Sequence, residues 1–333
     1  MSPMPIVEAV DLVRNFALPS TGLRRSDRRV RAVDGVSFSI HQGETFGLVG
    51  ESGCGKTTLS RLLLNLDTPS SGRLQVAGHD VRSLRGAQER AYRRDVQAVF
   101  QDPYGSLNPR HRARRIVGEP LAVHEGLRGT ALRERVCELL RMVGLPAEAV
   151  DQYPHEFSGG MRQRLAIARA ISIRPRLIVL DEPVSALDVS IRAQVLNLLR
   201  DLQRELALTY VFIAHDLAVV EYMADRVGVM YLGRLVEVAT AEQLYRQPRH
   251  PYTRALIRAA SLTERSAGDD EVSLEGDVPS PIDPPSGCRF RTRCPHAAER
   301  CVRESPVLDR VEEGHVVACH FHRQIETTTP RSE

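Results

Sequence analysis

The sequence has almost no lysine: of 45 basic side chains, Lys56 is the sole lysine and the other 44 are arginines. A coding bias toward arginine accounts for the depletion. Against that background, the surviving lysine marks a position that needs a compact ammonium rather than a planar guanidinium. Long apolar runs are also missing. No stretch of 18 or more apolar residues occurs, which excludes a membrane-spanning helix. Met1 to Val10 contain no charged segment followed by an apolar one, so no secretory leader is expected. Net charge is only +3 over 333 residues, which gives no general polyanion-binding surface. Neither an internal repeat nor a coiled-coil heptad pattern is found. Cysteine is scarce until the end: Cys54 and Cys137 stand singly, and Cys288, Cys294, Cys301 and Cys319 cluster with the spacing C-x5-C-x6-C-x17-C. Without a leader, such a cluster reads as metal or redox chemistry before disulfides.

The chain is 42% apolar and 26% charged, as in an ordinary globular protein. Its length suits one large α/β domain with a smaller appendage, or two domains. Alternating runs from Ile6 to Leu12 and from Val33 to Ile40 predict short antiparallel strands on either side of an arginine-rich loop, Pro19 to Arg31. A buried strand follows at Thr45–Val49. From about Asn108 to Arg169 helix formers dominate. Strands return at Leu177–Leu180 and Tyr210–Ala214 with a helical run, Ile191–Leu206, between them, which implies a parallel sheet with crossover helices. A Pro/Gly/Ser-rich stretch from Ser261 to Gly287 reads as a linker before the cysteine-bearing tail.

Gly50-Glu51-Ser52-Gly53-Cys54-Gly55-Lys56-Thr57-Thr58 follows the buried strand and opens an apolar-periodic helix, Leu59–Leu66. It matches G-x-x-x-x-G-K-[ST] in the strand–loop–helix setting that motif requires. Glycines let successive N–H groups face inward as an anion nest. The helix N-terminus adds a partial positive charge of roughly half a unit. Lys56 is expected on the β- and γ-phosphates and Thr57 on Mg²⁺. Taken alone, the loop says NTPase and no more. Alkylation of Cys54, inside the loop, is expected to block nucleotide binding, and ATP to protect it.

Leu177-Ile178-Val179-Leu180-Asp181-Glu182 is an apolar strand ending in two acids. Such a run belongs to a central parallel strand, whose carboxyl end is where ligands sit. Asp181 suits Mg²⁺ held mostly through water, and Glu182 suits a base for the attacking water. The bland alternative, an acidic turn cap, weakens once the upstream loop is counted.

Phe157-Ser158-Gly159-Gly160-Met161 precedes a helical run 23 residues before Asp181. Here the chain resembles the ABC ATPase family, whose signature is a Leu-Ser-Gly-Gly-Gln sequence at a helix N-terminus. Phe157 and Met161 depart from it at the outer positions, and the Ser-Gly-Gly centre is intact. The resemblance implies that Ser158, Gly159 and Gly160 meet the γ-phosphate of ATP held by a second ATPase subunit, in a hetero- or homodimer. It also implies that Gln101 senses Mg²⁺ and the attacking water, that Ser185–Asp188 cross the dimer interface, and that His215 contacts the γ-phosphate. Phe16 is either an adenine-stacking aromatic or a core residue.

Phe100-Gln101-Asp102-Pro103 with Ser106-Leu107-Asn108-Pro109, Pro183–Gln194, and His250-Pro251-Tyr252-Thr253 resemble the oligopeptide/dipeptide importer branch. The implied fold is α/β: a P-loop NTPase (ABC ATPase) core with an antiparallel β subdomain, a helical subdomain at about 105–170, and a small C-terminal extension. The ATPase domain is expected at 1–260 and the extension at 261–333. The implied function is ATP hydrolysis that energises import of peptides, or of a related small solute such as nickel. Implied partners are two membrane permeases and an extracytoplasmic solute-binding protein, with this chain peripheral on the cytoplasmic face of the (inner) membrane. ATP and Mg²⁺ are the implied cofactors. By the same resemblance, Cys288, Cys294, Cys301 and Cys319 hold a [4Fe–4S] cluster; four thiolates also suit zinc, and free thiols in a small structural lobe are the remaining reading. A non-transport ABC ATPase acting on nucleic acid or ribosomes is the second reading. It is disfavoured by the single cassette and the lack of a coiled coil, so no nucleic-acid partner is expected. An exporter ATPase is disfavoured by the tail.

Overall fold

A computed structural model of the chain describes residues 4–18, 28–265 and 276–325. Its strands, in chain order, are β1 Val7–Ala17, β2 Arg29–Ile40, β3 Thr45–Val49, β4 Ser71–Val76, β5 His79–Asp80, β6 Val96–Val99, β7 Leu177–Asp181, β8 Thr209–Ile213, β9 Arg226–Tyr231, β10 Arg234–Thr240, β11 Asp309–Glu312 and β12 His315–Val317. The chain forms two compact units. The first takes residues 1–7, 39–45 and 75–213, and the second takes 8–38, 46–74 and 214–333.

In the first unit β6, β7 and β8 run parallel, with Val99 opposite Leu180 and Asp181 opposite Ile213. β8 is buried along its whole length, and β7 except for Asp181. Covered on both faces, such strands read as unbroken apolar runs. The helix Val189–Leu206 turns Val195, Leu196, Leu199 and Leu202 inward, the spacing of a one-sided helix. Each such side chain contributes about 1.5–3 kcal/mol on burial. Helices Ala113–His124, Gly129–Met142 and Gly159–Ile171 pack on one another, and every regular element from Pro103 to Ile171 is helical. At the other end of this unit β4 turns back antiparallel into β5, Gln75 opposite Asp80.

In the second unit β2, β1 and β4 are neighbours in that order. A further sheet there runs β11-β12-β10-β9-β3. β3 pairs parallel with β9, Val49 opposite Val229, while β10 is antiparallel to both β9 and β12. The tail thus joins the sheet through β12. The expected linker starts too early: the helix Pro251–Arg265 continues five residues past Ala260. Residues 266–275 of that stretch, and 19–27 of the arginine-rich loop, lie outside the described residues.

One buried polar group ties tail to sheet. Glu237 of β10 is 0% exposed. Its carboxylate accepts from Arg249 N at 2.7 Å and His250 N at 2.9 Å, and pairs with His315 Nε2 of β12 at 2.7 Å. Glu237→Ala orphans all three partners, so we expect a loss on the order of 3 kcal/mol, read as a melting temperature several degrees lower. Glu237→Gln keeps one acceptor oxygen and is expected to lose less.

Candidate functional site

In the second unit, β3 delivers the chain into the loop Gly50–Gly55, and the helix Lys56–Leu63 starts immediately behind it. Gly50 has φ 150° and Gly55 φ 113°. A Cβ on Gly50 would stand 2.2 Å from Met230 O, and one on Gly55 2.2 Å from Ala32 O. Only glycine lets the loop press this closely on its neighbours. Ser52, Gly53 and Thr57 are exposed, whereas Cys54 and Lys56 are buried. Lys56 folds inward: Nζ donates to Gly50 O at 2.6 Å, to Glu51 O at 3.0 Å and to Cys54 Sγ at 3.7 Å. The loop therefore has its ammonium centred beneath exposed backbone at a helix N-terminus, which fits a nucleoside phosphate. Thr57, one residue on, is suited to Mg²⁺, and Thr58 is half-buried behind it. Cys54 runs against the alkylation expectation: burial pushes its thiol up, against the opposing effect of Lys56, and a buried neutral thiol is a poor nucleophile.

Phe16 is half-buried on β1, with the Arg14 guanidinium 4.5 Å from its ring centre. It is thus not a fully enclosed core residue. His215 is exposed. The next residue, Asp216, caps the helix Leu217–Met223 by accepting from Ala218 N and Val219 N at 3.0 and 3.3 Å, which fixes the backbone that carries the imidazole.

In the first unit, Gln101 follows β6, and Asp181 ends β7 beside it, so both leave the carboxyl edge of one parallel sheet. Gln101 is exposed and Asp181 half-buried. Glu182 has φ +49°, a left-handed conformation that strains a non-glycine residue and clusters at functional positions. Neighbours hold it there: Glu182 N donates to Ile213 O at 2.9 Å and Ser185 Oγ donates to Glu182 O at 3.1 Å. Ser158 caps the helix Gly159–Ile171 by accepting from Met161 N at 3.4 Å. Gly159 is exposed; Gly160 is buried, and a Cβ there would meet Ile191 Cγ2 at 2.4 Å. Phe157, which stands where the signature has Leu, is buried.

The four tail cysteines line one small apolar cavity of about 10 Å³ with His250, Phe290 and His320. Burial pushes Cys288 up to about 11, helped by Cys301 and Cys294; Cys319 is likewise pushed up to about 11 by burial and by the other three thiols. Among the described residues no three His, Cys, Asp or Glu side chains stand close enough to share one ion. Four cysteine thiols are a donor set that either zinc or an iron–sulfur cluster can take.

Two contacts had no sequence signal. Arg293, between the first two tail cysteines, grips the Glu51 carboxylate with both Nη atoms, at 2.7 and 2.9 Å. The Tyr252 hydroxyl accepts from Glu51 N at 2.8 Å. Tyr252 belongs to the His-Pro-Tyr-Thr phrase, which sequence spacing alone left without a role.

The loop, the strand-end acids and the Ser-Gly-Gly helix together describe an ATP-binding cassette. Residues 33–185 match the family described as "ABC transporter", and 236–301 match "Oligopeptide/dipeptide transporter, C-terminal region". The chain belongs to the oligopeptide/dipeptide branch of the ABC transporter ATP-binding proteins. It is 48% identical over 330 residues to the putative oligopeptide transport ATP-binding protein YkfD of Bacillus subtilis, covering 98% of each chain. Over 319 residues it is also 48% identical to the di/tripeptide transport ATP-binding protein DppF of Pseudomonas aeruginosa, covering 96% of this chain and 98% of that one. Among solved structures it resembles a dimeric post-hydrolysis state of the ATP-binding cassette MJ0796 bound to ADP and Pi. That similarity has TM-score 0.62 and 27% identity, and covers 71% of this chain and 98% of the other.

Proposed function

We propose that this chain binds and hydrolyses ATP to energise import of oligopeptides or dipeptides through two membrane permeases, loaded from outside by a solute-binding protein. The observation that carries the reading is the 48% identity, tail included, to proteins named for peptide transport. Residues 1–260 act as the ATPase domain, with the helical subdomain at about 105–170, and 261–333 as the extension. No helix among the described residues is long and apolar enough to cross a membrane, which suits a peripheral subunit on the cytoplasmic face.

Lys56 and the loop Gly50–Thr58 hold the phosphates, and Phe16 stacks on the base. Thr57 and Gln101 ligate Mg²⁺, with Asp181 acting through water. Glu182 takes the proton of the attacking water, and His215 contacts the γ-phosphate. Ser158, Gly159 and Gly160 present N–H and hydroxyl donors to the nucleotide held by a second ATPase subunit. An apolar side chain at the proposed crossing point supports that pairing: Val189, next to Asp188, is 79% exposed. Closure of the pair switches the permeases, and hydrolysis reopens it. A [4Fe–4S] cluster on Cys288, Cys294, Cys301 and Cys319 is the finer proposal for the tail. A cationic cluster would supply the deprotonation that burial opposes in these thiols.

The test is ATP hydrolysis by the complex purified with its co-transcribed permeases. We expect severalfold stimulation by solute-binding protein loaded with a dipeptide. Stimulation by nickel-loaded protein alone, or co-purification with DNA or ribosomes in place of permeases, would overturn the peptide reading.

A further inference from the structure

Among the described residues, the tail reaches the phosphate loop at Glu51. Glu51 is held at three points: its carboxylate by Arg293, its N–H by the Tyr252 hydroxyl, and its carbonyl by Lys56 Nζ. The Arg293 side chain is 3% exposed and that of Glu51 23%, so the bidentate pair is largely withdrawn from solvent. Charge-assisted pairs of this form are the strong, geometrically specific ones. Glu51 in turn holds Arg293 firmly protonated.

Arg293 reaches Glu51 because of how the cysteine lobe is folded. Cys288-Arg-Phe-Arg-Thr-Arg-Cys294 is a run of tight turns: Arg291 N donates to Cys288 O at 3.2 Å and Arg293 N to Phe290 O at 3.0 Å. Cys288 N donates to Cys301 O at 2.8 Å, which fixes the start of the run against the next cysteine. Phe290 drives the turn into an aromatic cluster, its ring 5.3 Å from Tyr231 and 5.4 Å from Tyr252. Arg289, on the turn's other side, donates to Leu232 O and to the Asp34 carboxylate. The segment that places two of the four cysteines therefore also places the cation that fixes the second residue of the phosphate loop.

We propose that Arg293 is a positioning residue for the nucleotide loop. It acts through Glu51, so nucleotide affinity depends on whether the cysteine lobe is assembled. This rests on the reading of Gly50–Thr58 as the ATP site. Tyr252 serves the same end from the helix Pro251–Arg265, by orienting the Gly50–Glu51 peptide so that the Gly50 carbonyl faces Lys56. Neither residue touches the nucleotide. Each limits the conformations among which the loop must choose before it binds, and loss of that pre-organisation appears in affinity.

The experiment measures the Kd of a fluorescent ATP analogue, with KM and kcat of ATP hydrolysis, for wild type, Arg293→Gln, Arg293→Lys, Glu51→Gln and the Arg293→Gln/Glu51→Gln pair. Hydrogen exchange of the amides of residues 51–58 is followed without nucleotide. We expect Arg293→Gln and Glu51→Gln each to weaken binding by about tenfold, with the loss in KM and Kd far exceeding that in kcat. The double variant should be no worse than either single. Arg293→Lys should restore only part, since one ammonium cannot bridge both carboxylate oxygens. Loop amides should exchange faster in all four variants, and Cys288→Ser should shift both readouts in the same direction, non-additively with Arg293→Gln. Wild-type affinity and exchange in Arg293→Gln and Glu51→Gln overturn the proposal, as does strict additivity of the pair. If wild type binds no nucleotide, it is the reading of the ATP site that fails, and the exchange data still decide the clamp.

Discussion

Replacing Glu182 by Gln is expected to slow ATP turnover by about 10²–10⁴-fold, the usual contribution of a positioned general base, while nucleotide binding stays intact. The substitution is nearly isosteric, and the Glu182 backbone is held by its neighbours. Glu182 N donates to Ile213 O at 2.9 Å, Ser185 Oγ donates to Glu182 O, and φ is +49°. Such a conformation costs of order 1–3 kcal/mol and persists only where its surroundings fix it. Gln inherits that geometry and loses the ability to take a proton. The variant should therefore bind ATP, complete closure of the two-subunit sandwich and stop there. Single-turnover phosphate release measures the first effect. Size-exclusion chromatography with and without ATP measures the second, as a dimer that persists only with nucleotide. Wild-type turnover in this variant would remove Glu182 from the role of base.

How far the sequence could be read follows from what each segment packs against. β3, β7 and β8 were legible because a parallel strand covered on both faces is apolar at every position. β9 and β10 were not. β9 carries Gly228 in mid-strand, and β10 carries Glu237, a charge that reads as solvent-facing yet is fully buried against His315 and two backbone N–H groups. β11 and β12, four and three residues long, have no pattern of their own; β12 exists by pairing with β10 at Glu237 and Val238. Candidate site residues on contiguous motifs, from Gly50 to Thr58 and from Ser158 to Gly160, can be proposed from sequence because the chemistry expected of them is local. Arg293 could not: its partner lies 242 residues away, and among 44 arginines one more between two cysteines carries no mark. Cys54 taught the converse, since a thiol inside an exposed-looking loop proved to be buried.

Lys56→Ala is expected to weaken ATP binding by about two to four orders of magnitude, the scale set by losing charge-assisted hydrogen bonds to two phosphates at about 1.5–3 kcal/mol each. The more informative replacement is Lys56→Arg, which keeps the charge. Nζ sits beneath the loop within 2.6 Å of Gly50 O and 3.0 Å of Glu51 O, and the side chain is buried. The same enclosure leaves no room for a Cβ on Gly55 against Ala32 O. A guanidinium is flat, longer, and projects its donors as a fixed fork, whereas an ammonium can turn three donors toward whichever oxygens surround it. Arginine at this position should therefore bind ATP nearly as poorly as alanine, although positive charge remains. Equilibrium binding of a fluorescent ATP analogue separates the cases. Near-wild-type affinity in Lys56→Arg would mean that charge alone suffices, and the survival of one lysine among 44 arginines would then need no geometric cause. Weak binding in both variants would tie that survival to the narrowness of the loop, where the coding bias toward arginine conflicts with the space available.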